Sequence, residues 1–275
     1  MSELGPEYDL QNDEWHVPGF RCRELRGRRT GACVCIPVIN EGEKIRAQLE
    51  RMRAIADAVD VVIADGGSID GSLREDLLCD CGVRALLTKT GPGRLSSQMR
   101  MAMAYALEQG YTALVFMDGN NKDDPEAVTR FVAELDRGTD HVQGSRYVPG
   151  GRAVNTPFSR HLGVKLLHAP LISLAARFRY TDTTNGFRGY SARLLLDPRV
   201  RPFRDVFSGY ELHYYLAIRA ARLGFAVKEI PTTRVYPSHE KTPTKIRGLR
   251  GNLKVLGTLF RAVFVGFAPP NETGA

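Results

Sequence analysis

Leu114-Val115-Phe116-Met117-Asp118-Gly119-Asn120-Asn121-Lys122-Asp123-Asp124-Pro125 decides how this chain folds. Its apolar start predicts a buried strand, which runs straight into a cluster of oxygen-bearing side chains. Pro125 then suits the first turn of a helix, where no backbone donor is needed. An open α/β sheet binds its ligand at the carboxyl ends of its central parallel strands. Oxygen donors there suit a hard divalent cation, Mg2+ or Mn2+, which typically bridges carboxylates to substrate phosphates. The same residues also fit a plain acidic turn, with Asp123 or Asp124 capping the next helix.

Outward from this stretch the alternation is regular. Apolar runs predict strands over 32–36, 59–64, 83–87, 113–117 and 140–143, the first ended by Pro37. Helical spacing falls over 41–55, 69–78, 95–109 and 125–136. Strands separated by helices of this length imply right-handed crossovers and a mostly parallel sheet. Residues 1–30 read as a polar, irregular N-terminal extension with a basic cluster from Arg21 to Arg29. Past residue 150 the elements are longer and less regular. A helix over 157–178 is broken at Pro170, 182–190 is turn-rich, and a helix over 208–223 precedes a strand at 226–230. The expected organisation is this extension, a catalytic domain over 31–240, and a basic amphipathic helix and tail over 241–275.

The chain has 275 residues, a formal charge of +7 and 43% hydrophobic residues, an ordinary globular composition with a bias toward anionic partners. Five cysteines without a C-x-x-C pair predict core thiols in a reducing compartment rather than a zinc site. Without a signal sequence or an apolar run of bilayer length, a cytoplasmic protein is expected, soluble or peripheral at the membrane.

Three strand ends carry polar clusters: Pro37-Val38-Ile39-Asn40-Glu41, then Asp65-Gly66-Gly67-Ser68-Ile69-Asp70-Gly71-Ser72, then the Asp118 cluster. In a parallel sheet they converge on one edge. Gly67 and its neighbours let backbone approach a ligand, Ser68 or Asp70 can cap, and Asp65 can accept from a base N–H. Gly91-Pro92-Gly93-Arg94 sets a guanidinium at a helix start, where a phosphate is favoured.

These motifs, in this order, resemble the family-2 glycosyltransferases, with the polyprenyl-phosphate sugar synthases as the nearest branch. The likeness continues through Gln143-Gly144-Ser145-Arg146-Tyr147, Asp182-Thr183-Thr184-Asn185-Gly186-Phe187-Arg188, Ser208-Gly209-Tyr210-Glu211 and Glu229-Ile230-Pro231. It implies a GT-A fold, a nucleoside-diphosphate sugar donor, a divalent metal and inverting transfer. Pro37, Asn40 and Glu41 would line the nucleoside pocket, and Asp65 would meet the base. Asp118 would belong to the Asp-x-Asp metal motif, but its second aspartate is Asn120 here, which removes a charge. Gly66 also replaces a second aspartate. Arg234, Lys241 and Lys245 would clamp the diphosphate, and His239 would touch the metal. Arg146 and Arg188 are anion candidates. Glu211 is the first choice as base for a hydroxyl acceptor, before Asp182 and Asp205; a phosphate acceptor needs none.

From Lys245 onward, Ile246, Leu249, Leu253, Leu256, Phe260, Val263, Phe264 and Phe267 recur at helical spacing among basic residues. That stripe fits either an anionic bilayer surface or the face of the catalytic domain. The acceptor is either a polyprenyl phosphate or a soluble hydroxyl compound. A sugar-phosphate nucleotidyltransferase ranks lower, because no Gly-rich basic loop follows the first strand. A nucleic-acid partner is not expected, because no aromatic-interleaved basic stripe is present.

Overall fold

The structure, a computed structural model, describes residues 5–237, 256–267 and 269. Its centre is four strands, β2 (Ala32–Val38), β3 (Asp60–Asp65), β4 (Val83–Lys89) and β5 (Ala113–Phe116), parallel wherever they pair. Side chains alternate across these strands, so each feeds two cores. On β2, Cys33 and Cys35 enter one core, while Val34, Ile36 and Val38 enter the other. The two thiols lie 3.8 Å apart, both buried, as their alternation predicts.

Helices cover both faces. α1 (Glu43–Met52), α2 (Glu75–Asp80) and α4 (Ala127–Asp136) pack on one side. α3 (Leu95–Glu108), α6 (Ala169–Ala176) and α8 (Glu211–Arg222) pack on the other. The α1 stripe of Ile45, Leu49 and Met52 is fully buried; each such side chain stabilises the fold by about 1.5–3 kcal/mol.

The sheet is extended beyond this parallel centre. β1 (Phe20–Glu24) pairs antiparallel with β4, so the N-terminal segment supplies an edge strand rather than only an irregular arm. Tyr8, Leu10, Trp15 and Val17 also pack on the core, and Trp15 stacks on Phe203. On the far side β8 (Arg188–Ser191) lies antiparallel between β5 and β6 (His141–Ser145), with β9 (Val227–Pro231) parallel to β6 at the edge. The sheet is therefore mixed but mostly parallel, eight strands in the order β1-β4-β3-β2-β5-β8-β6-β9. A separate two-stranded ribbon joins β7 (Arg152–Val154) to β10 (Thr233–Val235).

Other differences from expectation have local causes. Pro37 does not end β2, which runs on to pair through Val38 with Asp65. Strand alternation turns the missing Pro37 N–H toward β5, where the ladder has stopped at Cys35 and Phe116. The helix expected over 69–78 begins only at Glu75. Asp70 accepts from Ser72 N–H and Gly42 N–H, which holds the preceding residues as a turn and leaves Ile69 exposed. The helix expected over 157–178 is α5 (Phe158–Gly163), a π turn (Val164–His168) and α6, with Pro170 in the first turn of α6. At the C-terminal end, residues 256–260 are helical and lead into a π turn (Arg261–Val265). Leu259, Ala262 and Phe267 bury into the core with α6 and α8. The stripe from Ile246 to Leu253 lies outside the described residues. Among the described residues, no helix is long and apolar enough to cross a membrane.

Candidate active site

The ends of β2 and β3 are laced together. Asp65, the last residue of β3, accepts from Ser68 N–H at 2.9 and 3.1 Å. Ser68 Oγ accepts from Asn40 N–H at 2.9 Å, and Asn40 Oδ1 accepts from Ile69 N–H at 2.9 Å. Burial pushes the Asp65 carboxyl above the ordinary aspartate range, outweighing the hydrogen bonds from Ser68 and Gly67 that pull it down. Gln98 on α3 donates to Val38 O and Ala64 O, both at 2.8 Å, fixing the two strand ends at one height. Pro37, Asn40, Glu41, Asp65, Gly67 and Ser68 thus share one rim, open above Asn40 and Gly67.

The end of β5 is built differently. Asp118 Oδ2 accepts from Arg234 Nη2 at 2.8 Å, and Asn120 Nδ2 lies 3.4 Å from the same oxygen. Arg234 Nη1 pairs with Asp123. Burial raises the Asp118 carboxyl, but the charge and hydrogen bond of Arg234, with the charges of His213 and Lys122, together outweigh it and hold the group below its ordinary range. Asp123 is buried and pushed up to about 6 by desolvation, in spite of the same guanidinium. Gly186 is required here, because a Cβ on it would sit 2.6 Å from Asp118 Oδ1. Asp124 faces away, accepting from Thr233 N–H at 3.0 Å and pairing with Arg130 at 3.2 Å. Neither Asp123 nor Asp124 caps α4, which starts after Glu126 without a side-chain cap.

Asp118, Asn120 and Asp123 form an oxygen-only donor set. Asn120 Oδ1 and Asp123 Oδ1 are buried and have no hydrogen-bond partner. That chemistry fits a hard divalent cation, although no cluster of three His, Cys, Asp or Glu exists among the described residues. His239, Lys241 and Lys245 lie outside the described residues.

Two expected catalytic residues instead hold the scaffold. Asp182 is fully buried and takes a bidentate pair from Arg146 at 2.6 and 2.9 Å, so it does not reach an acceptor as a base. Arg188 is buried in β8 and donates to the carbonyls of Asn185, His213 and Thr183, so these donors are spent on the scaffold. Glu229 accepts from Thr181 N–H and Asp182 N–H, closing the same turn.

The Gly93-Arg94 and Ser208–Glu211 motifs meet at the start of α3. Arg94 N–H and Ser96 N–H donate to Ser208 O and Gly209 O at 2.7 and 2.8 Å. These two amides are therefore not offered to a phosphate, while the Arg94 side chain is exposed. Gly93 has φ +103°, and a Cβ there would strike Ser97 Oγ. The Glu211 carboxylate turns back onto Gly209 N–H at 2.6 Å.

Sequence patterns did not point to a cationic aromatic cluster beside Asp118. The Tyr236 ring has Lys122 Nζ at 5.0 Å and the guanidinium carbons of Arg160 and Arg234 at 5.5 and 5.9 Å. Arg160 also donates to Tyr236 Oη at 2.9 Å. The neighbouring Tyr147 ring has Arg146 and Lys165 each at 5.3 Å, and its buried hydroxyl has no partner. Burial raises the Tyr236 hydroxyl, but Arg234, Arg160 and Arg146 outweigh that and hold it below its ordinary range. The strand alternation that puts Arg234 and Tyr236 on one face was a usable signal for Tyr236. For Arg160, which shares its helix with His161, the sequence carried none.

The glycosyl transferase family 2 model matches residues 33–197, more than half of the chain. The chain is 30% identical over 207 residues to a polyprenol monophosphomannose synthase of Mycolicibacterium smegmatis, covering 73% of this chain and 76% of that protein. It is 32% identical over 203 residues to an undecaprenyl-phosphate mannosyltransferase of Micrococcus luteus, covering 73% and 82%. Among solved structures, glucosyl-3-phosphoglycerate synthase from Mycobacterium tuberculosis, in complex with Mn2+, UDP and glucosyl-3-phosphoglycerate, superposes with a TM-score of 0.56. It is 18% identical, with 88% of this chain and 84% of that chain covered, and the likeness is one of fold.

Proposed function

Because this chain belongs to glycosyl transferase family 2, we propose that it moves a hexose from a nucleoside-diphosphate sugar to a polyprenyl phosphate. The observation that carries this acceptor is the cluster of Arg160, Lys122 and Arg234 around Tyr236, next to Asp118. Cations of this density suit a phosphate better than a neutral hydroxyl. The engagement of Glu211 with Gly209 N–H supports the same choice. An acceptor that arrives ionised needs no base to remove a proton.

The chemistry is a single displacement with inversion. A phosphate oxygen of the acceptor forms the new bond to the anomeric carbon. The bond from that carbon to the donor diphosphate breaks, and the diphosphate leaves with the electron pair. Asn40, Asp65 and Ser68 hold the nucleoside on their rim, and Arg160 and Lys122 hold the attacking phosphate. Asp118 and Asn120, with Asp123 behind them, would hold Mg2+ or Mn2+, which when bound supplies positive charge for the leaving diphosphate.

A lipid acceptor also fits the surface nearby. Phe158, Leu162, Leu166 and Leu174 are exposed along α5, the π turn after it and α6, and α6 packs beside the C-terminal π turn, which contains exposed Phe264 and follows exposed Phe260. Arg160, Lys165, Arg177 and Arg261 flank this apolar face, an arrangement that suits an anionic bilayer surface.

The test is label transfer from GDP- and UDP-hexoses, with Mn2+, to polyprenyl phosphate, 3-phosphoglycerate or a neutral disaccharide. Lipid-extractable product is expected, and Arg160→Met should raise the acceptor KM about tenfold while leaving the donor KM unchanged. Transfer only to the disaccharide, abolished by Glu211→Gln, would sink the proposal.

A further inference from the structure

We infer that Arg234 is an exchangeable internal counter-ion, whose guanidinium competes with a divalent cation for Asp118 and Asp123. The inference rests on the proposal that Asp118 holds such a cation. Arg234 occupies Asp118 Oδ2 at 2.8 Å and also pairs with Asp123. Asn120 Oδ1 and Asp123 Oδ1, buried in the same cluster, stay without partners. A planar guanidinium with its donors in a fixed fork satisfies one oxygen of each carboxylate and leaves the remaining acceptors unmatched. A small cation that takes oxygen ligands from several directions suits those acceptors better.

Charge balance makes the two occupants alternatives. Two carboxylates neutralise one divalent ion. With Arg234 still in contact, the ion and the guanidinium would crowd like charges at short range, with Lys122 close by. The backbone around Arg234 is held on both sides. Thr233 N–H donates to Asp124 Oδ1 at 3.0 Å, and Val235 N–H donates to Lys122 O at 2.8 Å. Exchange is therefore a rotation of the Arg234 side chain about a fixed strand. Rotation frees a guanidinium at the edge of the site, where it can pair with a phosphate.

The test is Mn2+ binding to the full chain without nucleotide, followed by loss of the free-ion EPR signal, for wild type, Arg234→Met and Arg234→Lys. Arg234→Met should bind Mn2+ at least about tenfold tighter, with Arg234→Lys between it and wild type. In the presence of UDP or GDP the order should invert, because the freed guanidinium no longer assists the diphosphate. Equal or weaker Mn2+ binding by Arg234→Met overturns the exchange while leaving the metal proposal standing. Absence of Mn2+ binding in wild type and variant alike overturns both. Should Arg234→Met fail to fold, the wild-type Arg234 side-chain N–H resonance decides, assigned by its loss in Arg234→Lys. Saturation with Mg2+ should shift it and remove its protection from exchange, and an unchanged signal overturns the inference.

Discussion

Asp65 ends β3 and Asp118 follows β5, two parallel-running strands of one sheet separated by β2, yet their charges are managed in opposite ways. Asp65 is met by backbone N–H groups of the turn that follows it, and burial raises its carboxyl. Asp118 is met by a full positive charge brought from β10, far along the chain, and is held low. A carboxylate met by amides is locally assembled and fixed in place, which suits recognition of a base. A carboxylate met by a side-chain cation keeps its negative charge and, through the exchange inferred above, can change partners, which suits a metal and a leaving diphosphate.

The largest effect should come from Asp118→Asn, which removes the ionised group at the proposed diphosphate side. kcat/KM for transfer should fall on the order of a thousandfold, read from initial rates with saturating Mn2+. Residual activity above a tenth of wild type would remove the distinction between the two sites. Asp65→Asn should instead act on donor binding. It presents an N–H2 where a base donor would dock, and the affinity measured by calorimetry should fall about tenfold with kcat little changed. A loss in kcat at unchanged donor affinity would break the division of labour.

The Asp65 rim was legible in the sequence because its partners are local. Asn40, Ser68 and Asp70 lie in the turns that follow two apolar strands, and turn chemistry is written in short windows. The parallel centre was legible for the same reason, through runs such as 113–117 flanked by helices. The Asp118 side was half legible. Asp118 and Asn120 announce themselves after β5, but Arg234, which decides their electrostatics, is 116 residues from Asp118. β8 was missed because Arg188-Gly189-Tyr190-Ser191 has no apolar alternation; it is a strand because β5 and β6 present open edges on either side. The buried partners of Asp182 and Arg188 were not legible, because a charged residue in a family motif has the same sequence signature whether it meets substrate or a buried partner. Burial separates the two cases, since Arg188 spends its donors on carbonyls that would otherwise be orphaned.

The smallest effect, and the sharpest on mechanism, is the sign of the pH dependence. Both carboxyls have an ordinary value of 3.8. The folded Asp118 lies below it, so its ionised form contributes stability above that pH, and the contribution is lost as pH falls through the folded value. Wild type should therefore exceed Asp118→Asn in unfolding free energy near pH 6, with the gap closing toward pH 3. The folded Asp65 lies above 3.8, so its protonated form is favoured. That contribution is present below the unfolded value and is lost as pH rises through the folded one. Wild type should lose stability relative to Asp65→Asn over the same rise in pH. Urea unfolding of metal-free protein at several pH values between about 3 and 6 reads both slopes. Slopes of the same sign would show that the two carboxylates are held by the same kind of interaction, and the contrast between the Asp65 rim and the Asp118 site would fail at its physical root.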